Sequence, residues 1–211
     1  METPPNRARH ALIALFSCLF LVGFAVLFVD RAASTWSYEH FHRAAVFDWL
    51  THIVDPLRLA AVLGLAGAGF AAVFCGWRPA EHGRTLIAAS LAILVSVEIK
   101  ELLKHLFGRT WPETWIANNP SWIGNHAYGF HLLHNGTGWE SFPSGHMTQI
   151  VALATVIWLR LPRVRWLGVT LGTLVAIGLW GSDYHFVGDI VAGAFLGAAC
   201  GIGMVALIRQ P

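Results

Sequence analysis

Apolar positions in this chain fall in long unbroken runs, not in the alternating or three-to-four spacing of a half-buried element. Residues 11–29, 59–77, 141–159, 166–182 and 190–208 carry no charged side chain, and each run is long enough to cross about 30 Å of hydrocarbon as a helix. A sixth segment opens at Thr85, stays uncharged to Val97, and then carries Glu98, Lys100, Glu101 and Lys104. It counts as a span, because its long neighbours need a return path and ionisable groups near a helix end can reach the interface. The pattern predicts an all-α, polytopic membrane protein with six transmembrane helices in a single domain, 1–211.

Composition agrees. Hydrophobic residues make up 55% of the 211 and charged residues only 12%, with a mean hydropathy of +0.56, more apolar than one soluble core needs. Arg7 and Arg9 precede the first run and "RAAS" follows it, as in a signal peptide, but a run of 19 residues reads better as a retained span. Its removal would leave the remaining topology unchanged.

With the N-terminus inside, six spans place Arg7, Arg9, Arg78, Arg84, Arg160, Arg163, Arg165 and Arg209 on one side, which the positive-inside rule makes the cytoplasm. Arg31, Arg43, Arg58, Lys100, Lys104 and Arg109 fall on the other. The net charge of +2 is thus a topology signal and gives no reason to expect nucleic acid. Cys18, Cys75 and Cys200 lie within apolar runs and are expected to pack as small hydrophobes.

Between the first two spans, Phe41, Ala45, Phe47, Leu50 and Ile53 recur at near-helical spacing, predicting an outer-face interfacial helix that stops near Pro56. The longest irregular stretch, about 107–141, carries Trp111, Trp115, Trp122, Tyr128, Phe130 and Trp139. It suits both an aromatic belt and a lid over a headgroup site. Gly193, Gly197 and Gly201 in the last span, and Gly168 and Gly172 in the one before, are spaced for close helix packing.

Alternation of the spans brings the polar clusters to one face. In "HFVGD", His185 and Asp189 are four apart, so a helix beginning there would let the carboxylate hold one imidazole nitrogen and leave the other free. In "SFPSGH", Ser141 is the expected cap and Pro143 the first turn of a helix. The first-turn amides there form an anion site, Gly145 lets a ligand approach, Ser144 adds a donor and His146 a titratable proton. "KHLFGRTWP" adds Lys104 and Arg109. Each cluster alone fits an ordinary helix end; together they describe a phosphoryl-transfer site.

These residues resemble the motifs of the type 2 phosphatidic acid phosphatases, the PAP2 family of membrane lipid phosphatases. The resemblance covers about residues 95–200. PSGH stands intact at 143–146. The S-R-x5-H-x3-D motif keeps His185 and Asp189 but has Gly178 and Leu179 for Ser-Arg, and K-x6-R-P keeps Lys104 and Pro112 but has Trp111 for the arginine. The resemblance implies a PAP2-like helical bundle in which His185 is the nucleophile, Asp189 its orienter and His146 the acid that protonates the leaving oxygen. It also implies that Lys104, Ser144 and Gly145 hold phosphate. Arg109, two residues before the missing arginine, is expected to take over one of the lost phosphate contacts.

The reading is a lipid phosphatase or pyrophosphatase that needs no cofactor and no metal, set in the cell's inner membrane with its site on the periplasmic side. Undecaprenyl pyrophosphate, phosphatidic acid, phosphatidylglycerol phosphate and lipid A phosphates all fit as substrates. Alternatives are a lipid-to-lipid phosphotransferase, a weak relative that binds or transports lipid phosphate, a metalloenzyme using His126, His131 and His134 with His146 or Glu140, and a serine hydrolase pairing Ser144 with His185.

Overall fold

The first apolar run does not end where its charge-free stretch ends. Helix α1 (Pro4–Phe24) passes through a π-helical turn at Ala25–Val29 into α2 (Asp30–Phe41), and Ala8–Phe41 forms one continuous helical rod of 34 residues. The computed structural model describes residues 4–41, 44–116, 118–134 and 136–208, without the side chains of Pro4, Pro5 and Arg7. The sides assigned to Arg7, Arg43 and Arg209 therefore lie outside the described residues. Phe16, Phe20 and Phe28 are 67%, 71% and 70% exposed, which suits a rod facing lipid hydrocarbon.

The segment expected to lie at the interface and stop at Pro56 does otherwise. Helix α3 (Ala45–Thr51) continues through a 3₁₀ turn into α4 (Asp55–Phe74), with Pro56 in the first turn of α4. The proline's missing N–H costs nothing at a helix start, so it opens a span instead of closing a surface helix.

Helix α5 (Glu81–Phe107) follows, then a long loop holding the single turn α6 (Trp122–Asn125), and finally α7 (Gly145–Arg160), α8 (Arg165–Gly181) and α9 (Val187–Ile208). Helices α5 and α7 run antiparallel: Glu81 meets Arg160 at one end (3.4 Å), and Lys100 meets Gly145 near the other. Helix α9 runs parallel to α7 at very close range. A Cβ on Gly193, Gly197 or Gly201 would stand 2.6, 2.4 or 2.9 Å from the carbonyl oxygen of Ser144, Thr148 or Ala152, so the glycine stripe is a backbone-to-backbone seam. Gly168 is packed likewise on Ala154, whereas nothing lies within 4 Å of Gly172, and packing does not explain that position.

Four helical stretches, Ala8–Phe41, Ala45–Cys75, Pro162–Gly181 and Val187–Ile208, are long and apolar enough to span a bilayer. The expected six are not borne out as a count, and the reason lies in α5 and α7. Helix α5 has the length, at about 40 Å, but its last third is charged. Helix α7 starts at Gly145, not 141, and its 16 residues rise only about 24 Å. Both lie at the core, where Ala88, Ala92, Ala152, Val156 and Val205 form one buried cluster, so neighbouring helices take the place of lipid. Among the described residues there is no β-strand, only isolated bridges. Cys200 is buried as expected, Cys18 is partly so, and Cys75 is exposed.

Candidate active site

Helix α9 begins at Val187, so His185 and Asp189 are not an intrahelical pair. Asp189, in the first turn, accepts from the Phe186 amide at 3.0 Å, the reach-back that caps a helix start. That capping turn brings its Oδ2 to 3.6 Å from His185 Nδ1. The Ser141 hydroxyl donates to the same oxygen at 2.7 Å. Ser141 is thus a support for Asp189, not the cap of α7. His185 and Asp189 are both buried. Burial holds the His185 imidazolium below the ordinary histidine range, with Asp189 pulling the other way, so the ring is neutral at pH 7.

The cap of α7 is Ser144, whose Oγ accepts from the Met147 amide at 3.3 Å. Its own amide donates to the Asp189 carbonyl at 3.1 Å, which ties the starts of α7 and α9 together. Helix geometry leaves the Gly145 and His146 amides as the first without intrahelical partners. The His146 ring lies 6.4 Å from that of His185, centroid to centroid. Lys100 crowds the same turn: a Cβ on Gly145 would sit 3.1 Å from its Cε and 3.3 Å from its Nζ. Lys104 follows one turn later, its Nζ 5.9 Å from the centre of the Trp111 ring.

Arg109 is not where a phosphate contact was expected. It is fully buried, with one terminal nitrogen on Asp189 and the other on Asp30 and Tyr128. The guanidinium carbon lies 4.8 Å from the Phe130 ring centre and 4.6 Å from that of Phe186. Burial opposes this charge, but Asp189 and Asp30 more than offset it and hold Arg109 protonated beyond its ordinary range. Both tips of the fork are committed within the protein.

The variant motif positions have local explanations. Trp111 lies against His185 and Tyr184, each at 5.3 Å between ring centres, with its indole N–H on the Thr137 carbonyl at 2.8 Å. It walls the histidine where the family carries a cation. Leu179 is wholly buried with Val54, Met147, Ile150, Val175 and Ile190. A Cβ on Gly178 would stand 2.7 Å from the Leu50 Cβ, so packing of α3 on α8 leaves no room there for a serine.

Lys104, Ser144, Gly145, His146, His185 and Asp189 therefore gather at one end of the bundle, as their alternation predicted, while Arg109 lies behind Asp189. Two participants were missed. Lys100 precedes Lys104 by four residues, and that spacing alone puts both on one helix face. Asp30 carried no such signal, being the first charge after an apolar run. The loop histidines do not join the site: His131 packs edge-on and His134 tilted against Trp139, at 4.2 and 4.4 Å between ring centres. Among the described residues no three His, Cys, Asp or Glu side chains are placed to hold a metal ion.

The PAP2 superfamily profile matches residues 85–210, more than half of the chain. The crystal structure described as the first transmembrane PAP2 type phosphatidylglycerolphosphate phosphatase from Bacillus subtilis aligns with a TM-score of 0.57 at 19% identity, covering 93% of this chain and 94% of that one. Among curated proteins there is no significant match.

Proposed function

Since the chain belongs to the PAP2 superfamily, we propose that it is a membrane lipid phosphatase in which His185 takes the phosphoryl group. One observation carries the reading: a buried, neutral imidazole with Asp189 behind Nδ1 sits beside a second histidine at a helix N-terminus flanked by two lysines. The separation of 3.6 Å between His185 and Asp189 is the loose contact that tightens once substrate is bound.

Phosphate oxygens bind the first amides of α7 and the ammonium groups of Lys100 and Lys104, and the Ser144 hydroxyl, though used as a cap, retains its proton to donate. Nε2 of His185 attacks phosphorus in line with the departing oxygen. The N–P bond forms, the P–O bond to the lipid breaks, and His146, charged by a proton taken up with the anionic phosphate, gives that proton to the departing oxygen. Water then attacks the phosphohistidine, His146 takes a water proton, the N–P bond breaks and inorganic phosphate leaves. No step calls for a metal. The neighbour's description names a lipid phosphate, and the apolar, outward-facing α1 and α4 fit an enzyme that meets its substrate in the bilayer. The positive-inside pattern supports an extracytoplasmic site.

The test is phosphate release from phosphatidic acid, phosphatidylglycerol phosphate, undecaprenyl pyrophosphate and lipid A phosphate in detergent, with and without chelator. At least one should turn over with chelator present, and the His185→Ala protein should lose that turnover by several orders of magnitude. An active His185→Ala protein would sink the mechanism.

A further inference from the structure

From the contacts behind Asp189 we infer that Asp30, on the first transmembrane rod, is a positioning residue for catalysis: through Arg109 it fixes Asp189 and leaves that carboxylate's charge available to His185. The inference rests on the assignment of His185 as nucleophile.

Asp30 is wholly buried although it is the first charge after an apolar run, at the end of the π-helical turn. A bare carboxylate there would be very costly, so its partners define what it does. Its Oδ1 accepts from the Gly188 amide at 2.8 Å, in the first turn of α9 and next to Asp189. Its Oδ2 takes Arg109 Nη2 and lies 3.2 Å from the Tyr128 hydroxyl. That hydroxyl donates to the Val26 carbonyl at 2.6 Å, a group within the π turn. The turn is therefore stitched to the loop at the point where it presents Asp30 to the site.

Charge arithmetic gives the arrangement its purpose. Alone beside Asp189, Arg109 would cancel most of the negative charge that supports the imidazole. Two aspartates share it, so Asp30 and Arg109 neutralise each other and Asp189 keeps about one net charge facing Nδ1. The other groups facing His185 are Lys104 from α5, His146 from α7 and Tyr184 from its own turn; Lys100 and Asp55 lie behind these, against His146. The one anion among these, Asp55, acts on His146, so none of them neutralises Arg109 as Asp30 does.

Asp30→Asn is nearly isosteric and removes only charge. Arg109 then goes uncompensated and lowers the proton affinity of His185. In kcat/KM profiles on the best lipid phosphate, the acid limb should move to lower pH by at least about half a unit, with kcat down about 10- to 100-fold and KM nearly unchanged. Arg109→Gln should move the limb to higher pH, and the double variant should bring it back toward the native position. The Arg109→Gln arm and its reversal carry the test should Asp30→Asn fail to accumulate. Unmoved acid limbs in the variants, whether kcat falls or not, would overturn the inference and leave a structural role only. His185→Ala, run alongside, separates the two failures: if it is active the nucleophile assignment falls, and if it is dead with limbs unmoved only the role of Asp30 does.

Discussion

Lys100→Met tests the proposal that this cation stands in for an absent arginine. The substitution keeps the unbranched stem, which packs within 3.1 Å of a Cβ position on Gly145, and deletes the ammonium. Lys100 is 9% exposed, so a phosphate bound at the α7 turn meets its charge with little intervening water. A charge-assisted contact of this kind is worth about 1.5 to 3 kcal/mol, and at about 1.4 kcal/mol per decade the variant should lose about 10- to 150-fold in kcat/KM. The fold should tolerate the change, because the ion-pair partner, Glu101, has a side chain 51% exposed and such a pair contributes about 1 kcal/mol at most. The assay is phosphate release from mixed micelles at fixed surface concentration, with the thermal midpoint measured on the same preparation. Glu101→Gln is the control and should stay within about threefold of the native rate. A native rate for Lys100→Met, together with collapse of Lys104→Met, would refute the reasoning and leave one lysine to hold the phosphate.

In the α9 seam, Gly197→Ala places a methyl group 2.4 Å from the Thr148 carbonyl, and overpacking of that kind costs about 1 to 3 kcal/mol; a lower thermal midpoint should follow, and an unchanged one would deny the seam. Because His185 is depressed in the folded state, the unfolded chain binds more protons between that lowered value and about 6.5. Stability should therefore be complete above pH 6.5 and fall as pH drops through that window, and the slope should be shallower in His185→Ala, where the depressed His146 keeps its own share. For orientation, a single cysteine at Gly136, in a chain with Cys18, Cys75 and Cys200 replaced, should label from outside intact cells while one at His82 should not; the reverse would move the chemistry to the cytoplasmic face.

What the sequence disclosed, and what it hid, follows from the range of each signal. Hydropathy runs report contact with lipid, so they located α1, α4, α8 and α9 well. They speak less clearly for α5 and α7, which are sheltered by other helices and are free to be charged or short. Helix-start chemistry is local, so "PSGH" was legible as a capped anion site, yet the cap fell on Ser144 and not Ser141, because Ser141 is drawn to Asp189 by a contact across 48 positions. His185 and Asp189 were paired for an incomplete reason: the capping reach of an aspartate in the first turn joins them, not a shared helix face.

Arg109 shows where linear reading ends. Its place beside the missing family arginine made it look like a substitute, and only the fold reveals that two carboxylates, 79 and 80 positions away in the chain, had already claimed it. A guanidinium between two aspartates and two phenylalanine rings is held too firmly to follow a migrating phosphoryl group, but well enough to keep Asp189 in place through both halves of the reaction. On the proposed mechanism, the cations that meet the phosphate are then the two lysines on one face of α5. An ammonium on a flexible stem makes single contacts where an arginine fork makes two, so Lys100 and Lys104 together match one arginine in charge-assisted contacts without its fixed geometry. Arginine at Trp111 would add such a fork but remove the wall beside His185. Trp111→Arg should therefore tighten phosphate binding, seen as a lower inhibition constant for inorganic phosphate, while kcat falls. A rise in kcat would show that the indole contributes nothing to the nucleophile.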